Sequence, residues 1–267
     1  MAYAIAMLGL VARADAATPL EAYGALPTVE NIVISPDGTR LAFVRTQGEE
    51  RFVAVVSLAT GETLAGARAG DVKLRSIEWA GDGHVLMVGS VTKDVTWLSG
   101  GKTEWSLLSV LDVGANTVTA VPKQGADNPN IISDVPMVRE IDGRVVLFVP
   151  GAHLRDYLLP ALYRYDVESG AQTLLERGLR STRQWFVDDR GNIVARIHYD
   201  DAVSSWTIEA RQSGGQYRVV EQGFSTVYEP RILGYGFDHD SMLVSYPSND
   251  SWKWALVPLR DEEPDLG

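Results

Sequence analysis

The sequence predicts an all-β protein, a β-propeller of four-stranded antiparallel blades with about five blades present. Three observations carry this. Asp/Gly turns recur, and with Gly38, Gly83, Gly143, Gly191 and Asp240 as anchors they stand 45, 60, 48 and 49 residues apart. Around each turn the apolar segments come in one order: strand, turn, strand, strand, turn, strand. A repeat of about 40 to 50 residues holding four strands, the length of a WD40-like unit, marks a propeller. Composition agrees, since 25 Gly and 12 Pro in 267 residues supply turns and 45% apolar content supplies a core.

The first unit runs from Val29 to Ser35, turns at Ser35-Pro36-Asp37-Gly38, and continues with Leu41 to Arg45, Phe52 to Leu58 and Glu62 to Leu64. Pro36 presets φ for the turn and Gly38 accepts the positive φ that follows. Both alternate faces of Phe52 to Leu58 are largely apolar, so that strand is expected to be covered on both sides by neighbouring blades. The second unit turns at Gly81-Asp82-Gly83, then reads His84 to Val91, Trp105 to Asp112 and Thr117 to Val121. The third turns at Asp142-Gly143, with Val145 to Val149, Leu162 to Val167 and Gln172 to Leu175; the fourth turns at Asp189-Arg190-Gly191, with Ile193 to His198, Ser205 to Ala210 and Tyr217 to Val220. The fifth turns at Asp238-His239-Asp240 and holds Met242 to Tyr246 and Trp252 to Pro258. The blades are thus placed at about residues 29–66, 74–122, 131–177, 182–222 and 230–260, as one partial propeller over 29–267.

Residues 1–16 read as a signal peptide: Ala2 to Ala12 is an apolar run of eleven residues, too short to span a bilayer, followed by the small-x-small site Ala14-Asp15-Ala16. No Lys or Arg precedes the run. Residues 17–28 form a leader with a short expected helix, because Thr18-Pro19-Leu20-Glu21 carries a cap, a first-turn proline and the Glu of a capping box. The absence of cysteine excludes disulfides, thiolate metal sites and cysteine nucleophiles, and a net charge of −11 argues against nucleic acid as a partner.

The segments Pro19-Leu20-Glu21-Ala22-Tyr23-Gly24-Ala25-Leu26-Pro27 and Ile34-Ser35-Pro36-Asp37-Gly38-Thr39-Arg40-Leu41-Ala42-Phe43-Val44 resemble the start of an exported bacterial serine peptidase of the prolyl oligopeptidase family, of the dipeptidyl aminopeptidase or acylaminoacyl peptidase type. The resemblance implies an N-terminal propeller of about seven or eight blades that caps a C-terminal α/β-hydrolase domain. It implies a periplasmic or secreted location, a peptide substrate and no cofactor. Only the propeller half is covered here. The SPDG-x-x-LAF element is shared with TolB-like periplasmic propellers, so a free-standing protein-interaction scaffold is the alternative. Five units against seven or eight leave a bare blade face at each end, and self-association or dependence on a further segment is expected.

The family's nucleophile would sit in a GxSxG elbow, which this sequence lacks; Gly223-Phe224-Ser225-Thr226-Val227 misses the second Gly and reads as an inter-blade loop. His84 and His198 fall in strands, His153 in an apparent insertion from Gly151 to Pro160, and His239 in a repeat turn where its Asp neighbours have turn roles. No metal motif is present. Trp79, Trp185 and Trp206 lie on strands and are expected to fill blade interfaces. Trp97, in an apparent insertion from Thr92 to Glu104, and Tyr157 sit where a propeller carries recognition. With Glu49 and Glu50, a paired-acid clamp in composition only, they are the substrate-binding candidates.

Overall fold

The computed structural model describes residues 27–48, 50–94, 101–125, 127–154, 158–237, 240–248 and 251–259. These contain nineteen strands and no helix, hence none long and apolar enough to cross a membrane. Four sheets have four strands each: β1 (Val29–Ile34) to β4 (Thr63–Arg68), with β2 (Arg40–Gln47) and β3 (Glu50–Ser57); β5 (Lys73–Ala80) to β8 (Thr117–Val121), with β6 (His84–Asp94) and β7 (Lys102–Asp112); β9 (Met137–Ile141) to β12 (Gln172–Arg177), with β10 (Arg144–Leu154) and β11 (Leu158–Asp166); and β13 (Thr182–Val187) to β16 (Tyr217–Phe224), with β14 (Ile193–Asp200) and β15 (Ser205–Arg211). A fifth has three: β17 (Arg231–Tyr235), β18 (Ser241–Ser248) and β19 (Ser251–Pro258). Every sheet is an antiparallel meander in chain order, which makes the chain a β-propeller-like protein of about five blades, called blades 1 to 5. The short helix expected in the leader, and the signal segment, lie outside the described residues.

The blades repeat in detail. The innermost strand carries a register shift in blades 1, 2, 4 and 5, between Glu30 and Val33, Leu74 and Ser76, Thr182 and Gln184, and Ile232 and Gly234. Such bulges bend a strand and add twist. Asp142 and Gly143 both take positive φ, as a two-residue hairpin between twisted strands requires. Asp37 accepts hydrogen bonds from the Ser35 hydroxyl at 2.6 Å and from the Thr39 backbone N–H and hydroxyl, each at 2.9 Å, and these bonds hold its carboxyl below the usual carboxylate range. Asp188 closes the corresponding turn of blade 4, accepting from the backbone N–H groups of Arg190 and Asn192 at 3.0 and 2.7 Å.

The core is divided among the gaps between blades. One cluster joins blades 1 and 2 (Val44, Val55, Ile77, Val85), a second blades 2 and 3 (Leu86, Leu108, Leu147, Tyr163), a third blades 3 and 4 (Phe148, Leu162, Trp185), and a fourth blades 4 and 5 (Ile197, Ile208, Met242, Val244). None of these clusters joins blade 5 to blade 1. Inner strands adjoin along the series, β1 beside β5 and β13 beside β17. The Trp79 indole N–H, on β5, donates to the Val33 carbonyl of β1 at 3.1 Å.

Two expectations change. The strand after the first hairpin is covered on one face only: Val53 and Val55 are buried against blade 2, while Phe52, Ala54 and Val56 stay half-exposed because among the described residues blade 1 packs against blade 2 alone. The described residues of the apparent insertions are almost all strand. β10 and β11 pair through Gly151↔Ala161, Ala152↔Pro160, His153↔Leu159 and Leu154↔Leu158, and β6 and β7 pair out to Asp94↔Lys102. The long second-to-third anchor spacing reflects the extended β6–β7 hairpin and the link between β8 and β9, in which Ile132 bridges Ser106 of blade 2 and Gly151 of blade 3.

Candidate functional site

Strand alternation gives the blades two ends. At one lie the Asp/Gly turns, stitched between blades where the Asp37 N–H donates to the Asp82 carboxylate at 2.9 Å and the Arg40 guanidinium to the Asp82 carbonyl. At the other lie the connections β2–β3, β6–β7, β10–β11, β14–β15 and β18–β19 and the links between blades. Trp97, Tyr157 and Glu49 lie outside the described residues. Glu50 opens β3 as an exposed residue in an ion pair with Arg68 at 3.2 Å, a solvated contact of small energetic weight.

At the same end, blades 4 and 5 enclose a cleft of about 700 Å³ that sequence reading did not single out. Phe224, Tyr228, Trp252, Val203 and Pro247 supply its apolar surface, and Ser204, Ser225, Ser248 and Ser251 its polar groups. The rings of Tyr228 and Trp252 meet with centroids 5.3 Å apart. No charged side chain is among the described lining residues, although the chain as a whole is acidic. A cleft of this size, aromatic with a few hydroxyls and carbonyls, has the makeup of a site for an uncharged organic or peptidic group.

The near-elbow at Gly223 to Val227 lies on this cleft, and its parts have structural explanations. A Cβ on Gly223 would stand 2.6 Å from the Trp206 ring, so the glycine makes room for that indole. The Ser225 N–H donates to the Ser204 carbonyl at 2.9 Å, its hydroxyl accepts the Tyr228 N–H at 3.0 Å, and its carbonyl accepts the Tyr199 hydroxyl at 2.6 Å. These bonds tie a loop between blades. They do not place a base beside a nucleophile.

Blade 4 holds the other concentration of chemistry. Arg196 on β14 pairs with Glu209 of β15 at 2.7 Å and with Glu176 of blade 3 at 3.1 Å, while its guanidinium lies 3.7 Å from the centre of the Tyr217 ring. Glu176 also accepts from the Tyr217 hydroxyl at 2.7 Å and from the Trp185 indole at 3.0 Å. Burial pulls the Glu176 carboxyl upward, but these donors outweigh it and leave it below its ordinary range. Burial and the bond to Glu176 together push the Tyr217 hydroxyl far up.

His198 sits in the same group, its Nε2 3.2 Å from Glu209 and its Nδ1 3.1 Å from the Thr182 hydroxyl. The Glu209 carboxylate can only accept, so the ring proton sits on Nε2 facing it, and the Thr182 hydroxyl, which accepts the Leu179 N–H at 2.8 Å, donates to Nδ1. A hydroxyl, an imidazole and a carboxylate are in line, as a hydrolytic triad requires. Thr182 is 2% and His198 8% exposed, so no substrate reaches them. Burial lowers the His198 pKa against the pull of Glu209, keeping the ring neutral at pH 7. The cluster joins blade 4 to blade 3 and is structural. Cross-strand parity could have found part of it, since Arg196, His198 and Glu209 fall on one face once β14 and β15 are aligned; the contribution of Glu176 from another blade has no local signal. Among the described residues no group of three or more His, Asp or Glu is placed to hold a metal ion.

No protein-family model matches the sequence, and no curated protein matches it. Solved structures do. Acylaminoacyl peptidase from Pyrococcus horikoshii superposes over 86% of this chain and 37% of its own, with a TM-score of 0.47 and 16% identity. TolB from Acinetobacter baumannii does so over 86% and 54%, at 0.40 and 15%, and a eukaryotic initiation factor over 88% and 53%, at 0.52 and 9%. The chain therefore spans between 37% and 54% of the length of these structures. At such identities what is shared is the fold, that of a β-propeller.

Proposed function

We propose that this chain is the non-catalytic propeller portion of an exported serine peptidase of the prolyl oligopeptidase type, restricting access and helping to hold peptide substrates for an α/β-hydrolase domain supplied outside these residues. The observation that carries the reading is the element Ile34 to Val44. Its residues resemble the start of such peptidases, and they form the turn and second strand of the β1–β2 hairpin of a four-stranded blade, with Asp37 and Gly38 in the turn. Supporting it, among the described residues the hydroxyl, imidazole and carboxylate that meet at His198 are buried, and acyl transfer is assigned to another domain. The cleft of Phe224, Tyr228 and Trp252, at the end where the hairpin connections cluster, gives peptide side chains an uncharged place to rest.

The coding sequence past the codon for Gly267 tests this. The proposal requires a GxSxG followed by Asp and then His, in the same frame or an adjacent one. A downstream sequence without any hydrolase motif overturns it. Protein spanning Met1 to Gly267 is expected to leave peptidyl p-nitroanilides intact and to remain unlabelled by a fluorophosphonate, and stoichiometric labelling of any serine here would contradict the assigned division of labour.

A further inference from the structure

A second cleft, of about 230 Å³, lies between blades 2 and 3, at the end of the Asp/Gly turns and opposite the aromatic cleft. One wall comes from β6, β7 and β8, and the other from the close of β11 and the turn after it. Both signs of charge face it, Lys123 on one hand and Asp112 and Glu168 on the other. Several of these groups keep hydrogen-bonding capacity that the fold does not use. Tyr165 lines the cleft and is 3% exposed, yet among the described residues its hydroxyl bonds to no protein group. Burial raises its pKa, so the hydroxyl stays protonated and can donate. Lys123 Nζ gives one proton to the Gly170 carbonyl at 2.5 Å and keeps two. Asp112 Oδ1 accepts the Ala115 N–H at 2.9 Å, whereas Oδ2 stands 3.9 Å from His84 Nε2, beyond hydrogen-bond reach. Glu168 adds a second, exposed carboxylate. Gly170 leaves the donors uncovered: a Cβ there would stand 2.9 Å from Lys123 Nζ and 3.6 Å from the Tyr165 hydroxyl. Ammonium and hydroxyl therefore flank one spot, close enough for a single carboxylate to bond to both.

We propose that this cleft binds a small zwitterion, a free α-amino acid, whose carboxylate accepts from Lys123 and Tyr165 and whose ammonium donates to Asp112 and Glu168. Other ligand classes leave part of the cleft unmatched. A lone anion such as phosphate meets two carboxylates, and a lone ammonium meets Lys123, each a like-charge contact. An apolar group would take these charges out of water without replacing the hydrogen bonds they lose. A sugar finds donors and acceptors but compensates neither charge. A metal ion lacks ligands, because among the described residues no three His, Asp or Glu side chains are placed to hold one. Size agrees with an amino acid: at about 30 Å³ per water the cleft has the volume of about seven or eight waters. That is room for a backbone and a short side chain, which would lie against Val110 and Val167. The site involves only blades 2 and 3 and is independent of any hydrolase domain.

The test is saturation-transfer NMR of L-alanine with the whole chain. Saturable binding is expected with a Kd of about 1 mM or tighter. Propionate and ethylamine, which carry one charge each, should bind about tenfold or more weakly, as expected when charged hydrogen bonds are lost. Tyr165→Phe removes a hydroxyl that the fold does not use. It should weaken L-alanine binding about tenfold and leave the urea midpoint of unfolding unchanged. Lys123→Met, which removes the cation, should weaken binding further. No saturable binding up to about 20 mM, well above the expected Kd, would overturn the proposal. So would unaltered affinity in both variants, propionate binding as well as L-alanine, or glucose or inorganic phosphate binding more tightly than L-alanine.

Discussion

Blades 4 and 5 are built alike and end differently. Both start with a bulged inner strand and continue as an antiparallel meander. Yet Trp206, on the third strand of blade 4, is 3% exposed, and Trp254, on the third strand of blade 5, is 71% exposed. The third strand of blade 5 is the more apolar of the two, so the difference lies in their neighbours. Blade 4 stands between two blades and carries its own fourth strand, whereas among the described residues blade 5 has one neighbour and three strands. A blade of this protein is stabilised by what packs on it more than by its own pattern, as expected for architectures in which each unit contacts only its sequence neighbours.

The largest expected effect separates the two tryptophans. Trp206→Ala should cost about 3 to 5 kcal/mol in urea unfolding, the range for emptying a buried aromatic site, and Trp254→Ala should stay within about 0.5 kcal/mol, the usual surface value. Equal costs would break the comparison. Next comes the polar join of blade 4 to blade 3: Arg196→Met leaves Glu176 and Glu209 facing each other without their shared cation, and about 3 kcal/mol should be lost. No exposed ion pair, such as Arg68 with Glu50, should approach that in the same assay.

Gly223→Ala, which drives a Cβ into the Trp206 ring, should cost about 1 to 3 kcal/mol. Gly234→Ala in blade 5, where nothing lies within 4 Å of the new Cβ, should cost less. The smallest effect is pH-dependent. Burial depresses the folded-state pKa of His198, so the unfolded chain binds the proton more readily, and stability present above about pH 6.5 should decline as pH falls through that value. His198→Gln should flatten the decline between about pH 6.5 and 5, and an unaltered slope would show that this imidazole does not set it.

The turns and strand order could be read from sequence because their causes are local: Asp-x-Gly turns and alternation leave a mark within a few residues, as at Asp37-Gly38 and Asp142-Gly143. Coverage could not be read that way. Phe52 to Leu58 looked apolar on both faces, and nothing within it records that only one neighbouring blade is present. Glu176 meets Arg196 across a blade gap, and Trp252 meets Tyr228 across another, so neither partnership follows from spacing along the chain. The reach of β10 and β11 into the segment Gly151 to Pro160 was hidden by that glycine and that proline, which lie where the two strands extend past their outer neighbours β9 and β12.

The dependence of burial on neighbours is tested most directly by native-state amide exchange resolved by strand. The account predicts slow exchange in β6, β10 and β14, the second strands of blades flanked on both sides, and fast exchange in β19, with protection falling from blade 4 to blade 5 under unchanged conditions. Protection of β19 equal to that of β15 in the monomeric chain would contradict it.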